Sequence, residues 1–385
     1  MREELGDVLL NVYMQCVIAD ENNSFDIVDV MEELNDKLIR RHPHVFSDAY
    51  ADHPDKVIAL WQEVKKTENK PKPKSVLDKV PEDRPFFLYF GFSQPHRRFS
   101  ESHDGIDPAE LELPDDWPDL PEVRTDYARY LASVREMDTG FGMIMHVLQA
   151  RELDRNTLVI FMGDNGEALL RGKGTLFDRG THVPLMIRWP GMVQAGTSSS
   201  ELVCGTDLGP TILQACGLSA PAEMTGRSFL PQLQGRIDSG REYVFAERGW
   251  HWGPITRTDG LDLSRSVTSA RYRYLYNALP NRSYTPVDMP GKVAWKAIEQ
   301  AYADGQLSAL HERLYFQNPR PIVELYDLKT DPLELNNLAG QEAVTEIETT
   351  LRQELERWMI LEHDFLPLPT HALSNVEQGK PTRRK

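Results

Sequence analysis

The sequence predicts an α/β protein with a mostly parallel sheet flanked by helices, a smaller antiparallel C-terminal part and an all-helical N-terminal segment. Three observations support this prediction: helical spacing of apolar residues near the start, short continuous apolar runs in the middle, and strand-like segments toward the end. The expected boundaries are 1–69 for the helical segment, 70–84 for a Pro/Lys-rich linker, 85–240 for the α/β core, 241–370 for the antiparallel part and 371–385 for a disordered tail.

The N-terminal segment has the pattern of successive helices. In the stretch EELGDVLLNVYMQCVIA the apolar residues recur every third or fourth position, which predicts an amphipathic helix. Asp26 is a candidate N-cap for a second helix from about Ile27 to Arg41. A third helix is expected from about Pro54 to Thr67, before the linker.

From residue 85 onward, strand patterns alternate with a long helix. The runs FFLYFGF (86–92), LVIFMG (158–163) and PLMIRW (184–189) are short and continuously apolar, as in strands that are buried on both faces. A long helix is expected between the first two runs, from about Glu122 to Arg151.

The C-terminal half predicts one capped helix and then an antiparallel sheet. Thr206 or Asp207 could cap a helix that ends at Gly217. The strand candidates are EYVFAE, YRYLYNA and VELYDLK. A closing helix is expected from about Ala343 to Met359.

Composition and charge limit the partners and the compartment. The chain has 385 residues and a formal net charge of −16, so a nucleic-acid polymer is not an expected partner. The 3 cysteines form no Cys-x-x-Cys pair, which argues against a disulfide framework and a cysteine zinc site. The sequence shows neither a secretory leader nor an apolar run of membrane length, so we expect a cytoplasmic protein with no membrane partner.

A candidate site lies where the second apolar run ends. Asp164, Asn165 and Gly166 follow it directly, and Lys173 comes soon after, between two glycines. Strand ends are the usual ligand position in α/β folds. Carboxylate and amide oxygens suit Ca²⁺ or Mg²⁺ better than zinc, and a lysine on a glycine-rich loop can approach an anionic oxygen. A strand-to-turn Asn-Gly beside a solvated lysine is the alternative interpretation.

Three stretches together resemble the sulfatase family of the alkaline-phosphatase superfamily: FFLYFGFSQPHRRF, GKGTLFDRGTHVPLMIRWPG and ELYDLKTDPLELNNLA. The resemblance covers about residues 84–370. It implies that Asp164 and Asn165 are Ca²⁺ ligands, that Lys173 contacts the sulfate and the leaving oxygen, and that His96 is a general acid. It also implies hydrolysis of sulfate esters or sulfamates, with sulfated sugars or other small sulfated molecules as substrates.

Two further histidines are candidates for the substrate pocket of such an enzyme. His182 belongs to the stretch RGTHVP, and His251 lies in the aromatic stretch GWHWG. Both stretches could shape the pocket around a sulfated sugar. An ordinary packed role is the alternative for His182 and for the two tryptophans beside His251.

The sulfatase nucleophile is the part of the pattern that this sequence does not match. The family uses a formylglycine made from Cys or Ser in a C/S-x-P-x-R motif, upstream of the stretch that begins here near Arg84. Cys204 and Cys216 lack the flanking residues. Ser93–Arg97, SQPHR, fits on paper, but its place after FFLYFGF makes it the loop that carries His96. We therefore expect a weak Ca²⁺ site and little or no sulfatase activity.

Residues 1–69 resemble a second family, the MazG-type nucleoside triphosphate pyrophosphohydrolases, through EELGDVLLNVYMQCVIA, NDKLIRRHPHVF and ALWQEVKKTE. The resemblance implies Mg²⁺ bound by Glu4 and Asp7, and a nucleoside triphosphate bound by Lys37, Arg41, Trp61 and Lys65. Without this resemblance, Glu4 and Asp7 would be interpreted as acidic residues in a first helical turn, where the helix dipole favours them. The basic residues would be interpreted as a solvent-exposed helix face. The family's E-x-x-E helix would precede Met1, so we expect weak Mg²⁺ binding and possible pairing with another subunit.

Three functions stay open at this point. The first is sulfate-ester hydrolysis and the second is nucleoside triphosphate pyrophosphohydrolysis. The third is a non-catalytic module that binds a sulfated ligand or supports assembly. The order of the two parts predicts a join between the later portions of two genes, which is simpler than a bifunctional enzyme.

Overall fold

The computed structural model describes residues 26–41, 85–236, 240–251 and 261–369. The chain forms two compact units, Met1–Phe90 and Gly91–Lys385, which are described separately. The helices are α1 Ile27–Arg41, α2 Pro121–Ala150, α3 Asp178–Thr181, α4 Leu208–Ala215, α5 Leu230–Leu233, α6 Val293–Ala303, α7 Ala309–Phe316 and α8 Thr345–Leu361. The strands are β1 Val159–Met162, β2 Leu185–Arg188, β3 Val244–Trp250, β4 Leu261–Thr268, β5 Tyr272–Asn277 and β6 Val323–Asp327.

In the first unit, α1 begins where the sequence predicts. Oδ1 of Asp26 accepts the backbone N–H of Val28 at 2.7 Å and that of Asp29 at 2.9 Å, so Asp26 caps the helix. The predicted first and third helices and the linker lie outside the described residues. Among the described residues, no helix combines the length and apolarity that a bilayer crossing needs.

The apolar run FFLYFGF does not form the buried strand that the sequence predicts. Residues 86–92 have no regular secondary structure, and the side chains of Phe87 and Tyr89 are 74% and 86% exposed. A strand is stabilised by backbone hydrogen bonds to a neighbour, and no described strand pairs with this run. The prediction was therefore wrong for this run. An apolar run forms a buried strand only where neighbouring strands are available to pair with it.

In the second unit, α2 packs against the two-stranded sheet of β1 and β2. The rings of Phe141 on α2 and Phe161 on β1 are in edge contact, with centroids 5.3 Å apart. The two strands pair antiparallel, with Val159 opposite Arg188. All described pairings are antiparallel, whereas the sequence analysis expected a mostly parallel sheet. One of the three apolar runs from which a parallel sheet was expected, 86–92, forms no strand, so among the described residues β1 pairs only with β2, which returns antiparallel.

The antiparallel C-terminal sheet is confirmed, in the order β3-β4-β5-β6. The closing helix α8 covers it, and Leu351 and Leu355 on the helix pack with Tyr274 and Leu325 on the sheet. The strand β4 was missed by the sequence analysis. In its sequence LDLSRSVT, Arg265 interrupts the apolar alternation of Leu261, Leu263 and Val267, and the intervening Ser264 is buried and donates to Asn277 Oδ1 at 2.9 Å.

A second apolar cluster joins α2 to the helices α6 and α7, which the sequence analysis did not assign. Trp295 and Ile298 on α6 and Tyr315 on α7 are buried there. Leu169 and Leu170, from the loop between β1 and β2, insert into the same cluster. This loop is therefore anchored in the apolar cluster, which limits the positions that its other side chains can adopt.

Asp207, one of the two predicted caps, is at the N-cap position of α4, but its side chain bonds elsewhere and connects the helix to the start of the C-terminal sheet. Its carboxylate accepts the N–H of Cys204 at 2.8 Å and that of Arg227 at 2.7 Å, and it pairs with the guanidinium of Arg241. Burial alone would raise the pKa of Asp207, but these hydrogen bonds lower it below its usual value. The carboxylate therefore stabilises the folded chain in its ionised form.

We expect Asp207→Ala to lower the free energy of unfolding by about 3 kcal/mol, because it leaves Arg241 without its buried partner. The measurement is urea denaturation at neutral pH. The contribution is present above the unfolded aspartate pKa of about 3.9 and is lost as pH falls through the lower folded-state pKa, so wild type and variant should converge in acid. Glu223→Ala, at an exposed acid, is the control. Equal stability of the two variants at pH 7 would contradict the prediction.

Candidate functional site

The close-packed, glycine-rich loop that joins β1 to β2 positions Lys173. A Cβ at Gly166 would lie 1.8 Å from the carbonyl oxygen of Arg179, so only glycine fits there. Gly174 has a φ of +76°, and a Cβ there would lie 2.2 Å from Cγ2 of Val287. Asp288 follows Val287 and Lys173 precedes Gly174. The close packing of Val287 on Gly174 therefore places Asp288 against Lys173.

Lys173, His96 and Asp288 form one cluster, referred to below as the Lys173 cluster. Nζ of Lys173 donates to Oδ2 of Asp288 at 2.9 Å and lies 3.0 Å from Nε2 of His96. The distance from His96 Nε2 to Asp288 Oδ2 is 3.6 Å. The side chains of Lys173 and Asp288 are 12% and 10% exposed, whereas that of His96 is 55% exposed. The cluster therefore offers solvent an imidazole that is backed by a buried ion pair.

The hydrogen bonds of His96 fix the role of each ring nitrogen. Nδ1 lies against the carbonyl oxygen of Arg97, which can only accept, so Nδ1 carries the proton. Nε2 is then the acceptor for the ammonium of Lys173. A proton delivered to Nε2 would lie next to a cation and at the exposed edge of the ring, where a ligand oxygen could take it.

Arg97 holds the His96 loop in place. Its guanidinium makes two bonds to the carboxylate of Asp126 on α2, one of them 2.9 Å long, and its Nε donates to the carbonyl of Ala168 at 2.9 Å. One side chain thus ties the His96 loop both to the long helix and to the loop of Lys173. The sequence analysis did not identify this role for Arg97.

Two buried ion networks fix the glycine-rich loop against the rest of the unit. Asp116 is buried and accepts from Arg179 at 3.0 Å, with Arg171 Nε at 3.4 Å. Arg273 on β5 donates to Glu334 at 2.9 Å and to Asp178 at 3.1 Å. The residues on both sides of Lys173 are therefore held by charge pairs as well as by apolar packing.

His251 lies within the electrostatic field of the Lys173 cluster. Burial lowers its pKa first; the positive charges of Lys173 and Arg248 and the neighbouring His96 lower it further, and only the carboxylate of Asp288 acts in the opposite direction. The structure thus brings together His96, Lys173 and His251 from three separate stretches of sequence.

His182 has different neighbours. Its Nδ1 lies 3.1 Å from Oδ2 of Asp178, one helical turn earlier, and its side chain is exposed. The hydrogen bond with Asp178 raises the pKa of His182, although partial burial opposes this. Its described contacts are with Asp178 and not with the Lys173 cluster, so its place in a substrate pocket stays a prediction.

Asp164 and Asn165 lie in the exposed turn that follows β1. Oδ1 of Asp164 accepts the Asn165 N–H at 2.9 Å, and the Asn165 amide donates to the carbonyl of Gly166 at 2.8 Å. Within the described ranges, no three His, Cys, Asp or Glu side chains are grouped so as to hold a metal. Calcium takes roughly six to eight oxygen ligands. These two residues fit as part of a calcium site but do not complete one.

The predicted nucleotide site falls largely outside the described residues, which include neither Glu4 and Asp7 nor Trp61 and Lys65. The backbone of α1 contains positions 37 and 41. The side chains of Lys37 and Arg41 are also outside the described part, so their roles stay predictions.

Asp288 is the functional candidate that the sequence analysis missed. It is 115 residues from Lys173 in the chain, in a segment without a recognised motif. Its φ of 62° is in the left-handed region, which is uncommon for residues other than glycine. Only the fold brings it to the glycine-rich loop.

Family models match both parts of the chain. A model described as Sulfatase matches residues 32–218, and one described as N-sulphoglucosamine sulphohydrolase, C-terminal, matches residues 166–276. A model described as MazG nucleotide pyrophosphohydrolase domain matches residues 1–46. Lys173 lies within both sulfatase matches.

Several known proteins are similar in sequence. The ulvan-active sulfatase of Formosa agariphila is 29% identical over 292 residues, which are 74% of this chain and 47% of that protein. Homo sapiens N-sulphoglucosamine sulphohydrolase is 29% identical over 319 residues, covering 74% and 62%. The nucleoside triphosphate pyrophosphohydrolase of Escherichia coli is 41% identical over 89 residues, covering 23% and 34%. The chain spans about half the length of the curated sulfatases that it matches.

A solved structure shares the fold. A Bacteroides thetaiotaomicron protein, from a study of glycosaminoglycan metabolism, has a TM-score of 0.53 and 22% identity, covering 73% of this chain and 55% of that one. This likeness shows an α/β fold with open sheets flanked by helices, which confirms the predicted fold class. In sequence, the chain is similar to sulfatases over residues 32–218 and 166–276 and to MazG-type pyrophosphohydrolases over residues 1–46.

Proposed function

We propose that the chain binds sulfate esters of sugars at the Lys173 cluster and that this cluster serves the leaving-group side of sulfate-ester hydrolysis. The observation that supports this proposal is the contact of 3.0 Å between Lys173 Nζ and His96 Nε2. A cation and a proton carrier at one point are what a departing oxygen requires.

The chemistry assigns a role to each member of the cluster. In sulfate-ester hydrolysis the bond between sulfur and the sugar oxygen breaks, the sulfuryl group passes to a nucleophile, and the sugar oxygen takes up a proton. Lys173 would stabilise the negative charge that develops on that oxygen. His96, once protonated on Nε2 as well, would give it that proton from the exposed edge of the cluster and return to the neutral imidazole. Asp288 would hold the ammonium of Lys173 in place through the bond of 2.9 Å.

The names of the relatives support sulfated sugars as the substrate class. One relative is an ulvan-active sulfatase and another is an N-sulphoglucosamine sulphohydrolase, so both are named for saccharide substrates. The matches of this chain to the two sulfatase-type family models include the stretch around Lys173. A sulfated saccharide is therefore the ligand with which to test the cluster first.

We further propose that this chain binds such ligands better than it turns them over. The sole C/S-x-P-x-R match in its 385 residues is Ser93–Arg97. Ser93 Oγ donates to Gln94 at 3.0 Å, and Arg97 is fully engaged with Asp126 and Ala168. A bound calcium would be held by Asp164 and Asn165 and would neutralise sulfate charge. These two residues alone do not complete the oxygen shell of a calcium ion.

We expect Lys173→Ala to weaken the binding of glucose 6-sulfate about tenfold or more, because a charge-assisted contact of roughly 1.5 kcal/mol or more is lost. Isothermal titration of the whole chain measures the dissociation constant. Lys329→Ala, at an exposed lysine on the turn after β6, is the matched control and should bind like wild type. If both variants bind equally well, Lys173 does not contact the sulfate.

We expect release of inorganic sulfate from glucose 6-sulfate or an aryl sulfate to stay at the background rate, because Ser93 is the only motif match and is not expected to be converted. Ion chromatography measures the sulfate, and mass spectrometry of the peptide 85–97 measures any oxidation of Ser93. Turnover that disappears in Lys173→Ala and accompanies a modified Ser93 would refute this part of the proposal.

A second activity is favoured by the N-terminal matches. The MazG model matches residues 1–46, and the identity to the Escherichia coli pyrophosphohydrolase is 41% over 89 residues. We propose as the alternative that this segment hydrolyses a nucleoside triphosphate to the monophosphate and pyrophosphate with Mg²⁺, with pairing of two segments as a possible requirement. Carboxylates are the usual protein ligands of Mg²⁺ at such phosphate sites, which makes Glu4 and Asp7 the candidates.

If this alternative holds, the chain should release pyrophosphate from a nucleoside triphosphate only with Mg²⁺, and Asp7→Ala should abolish the release, because a metal ligand is removed. A coupled pyrophosphate assay at several protein concentrations measures the activity and its dependence on pairing. Asp20→Ala, at another acid of the same segment, is the control. Release that is unchanged in Asp7→Ala would argue against this site.

A further inference from the structure

A polar cavity is lined in part by the loop that carries Lys173, but its lining includes no member of the Lys173 cluster. Its volume is about 160 Å³. It lies between the β3–β6 sheet, the helix α7 and the glycine-rich loop. Its charged lining residues are Arg171, Arg248, Arg313, Arg320, Asp262 and Glu324. Four guanidinium groups thus face two carboxylates, and the lining carries excess positive charge.

Two of the arginines share one carboxylate. Arg248 lies 3.1 Å from Oδ2 of Asp262, and Arg320 donates to both oxygens of the same aspartate, at 2.6 and 3.1 Å. The other carboxylate is already in use, because Glu324 accepts from the amide of Asn277 at 2.6 Å and from the hydroxyl of Tyr326. One negative charge therefore serves two neighbouring guanidinium groups.

The other two arginines have partners elsewhere. Arg171 reaches Asp116 and donates to the carbonyls of Leu333 and Glu334, and Arg313 donates to the carbonyl of Leu335 at 2.9 Å. Arg171 is thus compensated by a carboxylate, whereas Arg313 has an uncharged partner and Arg248 and Arg320 have one carboxylate between them.

The Nε groups of Arg248 and Arg320 are both buried, and neither has a hydrogen-bond acceptor in the described part of the chain. Leaving a buried donor without an acceptor costs on the order of 1–3 kcal/mol, and more for a charged group. Burial lowers the pKa of Arg248, and the charge of Arg320 lowers it further despite Asp262. The two unpaired Nε donors and the excess positive charge of the lining therefore indicate that a negatively charged hydrogen-bond acceptor would fit this cavity.

We propose that this cavity binds the oxyanion of a second acidic group on the sugar ligand, such as the carboxylate of a uronic acid. This inference rests on the proposed function for the sugar itself. The Nη groups of Arg320 already pair with Asp262, so an incoming carboxylate would accept from the Nε groups of Arg248 and Arg320, a kind of donor that a lysine lacks. The cavity and the cluster share the loop that carries Arg171 and Lys173, and His251 lies three residues after Arg248.

The experiment is isothermal titration of the whole chain, at low ionic strength, with three ligands. Glucuronate carries the carboxylate, glucose is its neutral counterpart and inorganic sulfate is the alternative oxyanion. The variants are Arg320→Gln, which removes the charge and the unpaired Nε donor, and Arg320→Lys, which keeps the charge without that donor. Arg357→Gln, at an exposed arginine on α8, is the control. Circular dichroism verifies that each variant is folded.

We expect wild type to bind glucuronate and not glucose, and Arg320→Gln to bind it about tenfold or more weakly, while Arg357→Gln is unchanged. Arg320→Lys should lie in between, and its result decides the question if Arg320→Gln does not fold. Sulfate that competes with glucuronate would support the site and would show that it accepts oxyanions in general.

Lys173→Ala separates this inference from the proposed function. It should leave glucuronate binding unchanged and weaken only the sulfated ligand. If glucuronate binding disappears in Lys173→Ala and persists in Arg320→Gln, the carboxylate binds at the Lys173 cluster and the arginine cavity is not its site. Equal binding of glucose and glucuronate, or none of either, would also overturn the inference.

Discussion

The site depends on a loop that packs more closely than any side chain would allow. At Gly166 the backbone of Arg179 occupies the position of a Cβ, and at Gly174 a methyl group of Val287 does so. Interiors at this density have few alternative arrangements, so the neighbours of the loop are fixed with it. The contact between Gly174 and Val287 is what sets Asp288 beside Lys173, and thereby defines the charge of the cluster.

Charge pairs, together with apolar packing, hold the glycine-rich loop in place. Leu169 and Leu170 anchor the start of the loop in an apolar cluster, and Asp178 near its end is bonded to Arg273 of the sheet. Between them the ammonium of Lys173 has one carboxylate and one imidazole as partners. An ammonium held in this way is already oriented before any ligand arrives, and such preorganisation is the main source of electrostatic stabilisation in enzymes.

Local signals in the sequence were sufficient for the elements that are stabilised locally. The cap at Asp26 and the helix α2 are predicted because hydrogen bonds and spacing within one segment determine them. The irregular structure of 86–92 and the antiparallel pairing of β1 with β2 were not predicted, because strand formation and direction depend on neighbours that a local pattern does not specify. Lys173 and His96 came from family resemblance, whereas Asp288 joins them only through a contact between distant segments.

The group of Asp116, Arg171 and Arg179 has a consequence for how this chain can change over generations. Asp116 is the carboxylate partner of both arginines, so replacing Asp116 alone leaves two positive charges without it, whereas replacing a whole buried charge group by apolar residues of similar volume is often neutral. A change at one of these positions therefore requires changes at the others. Among homologous sequences the three positions should covary, so that an aspartate at 116 is accompanied by arginines at 171 and 179.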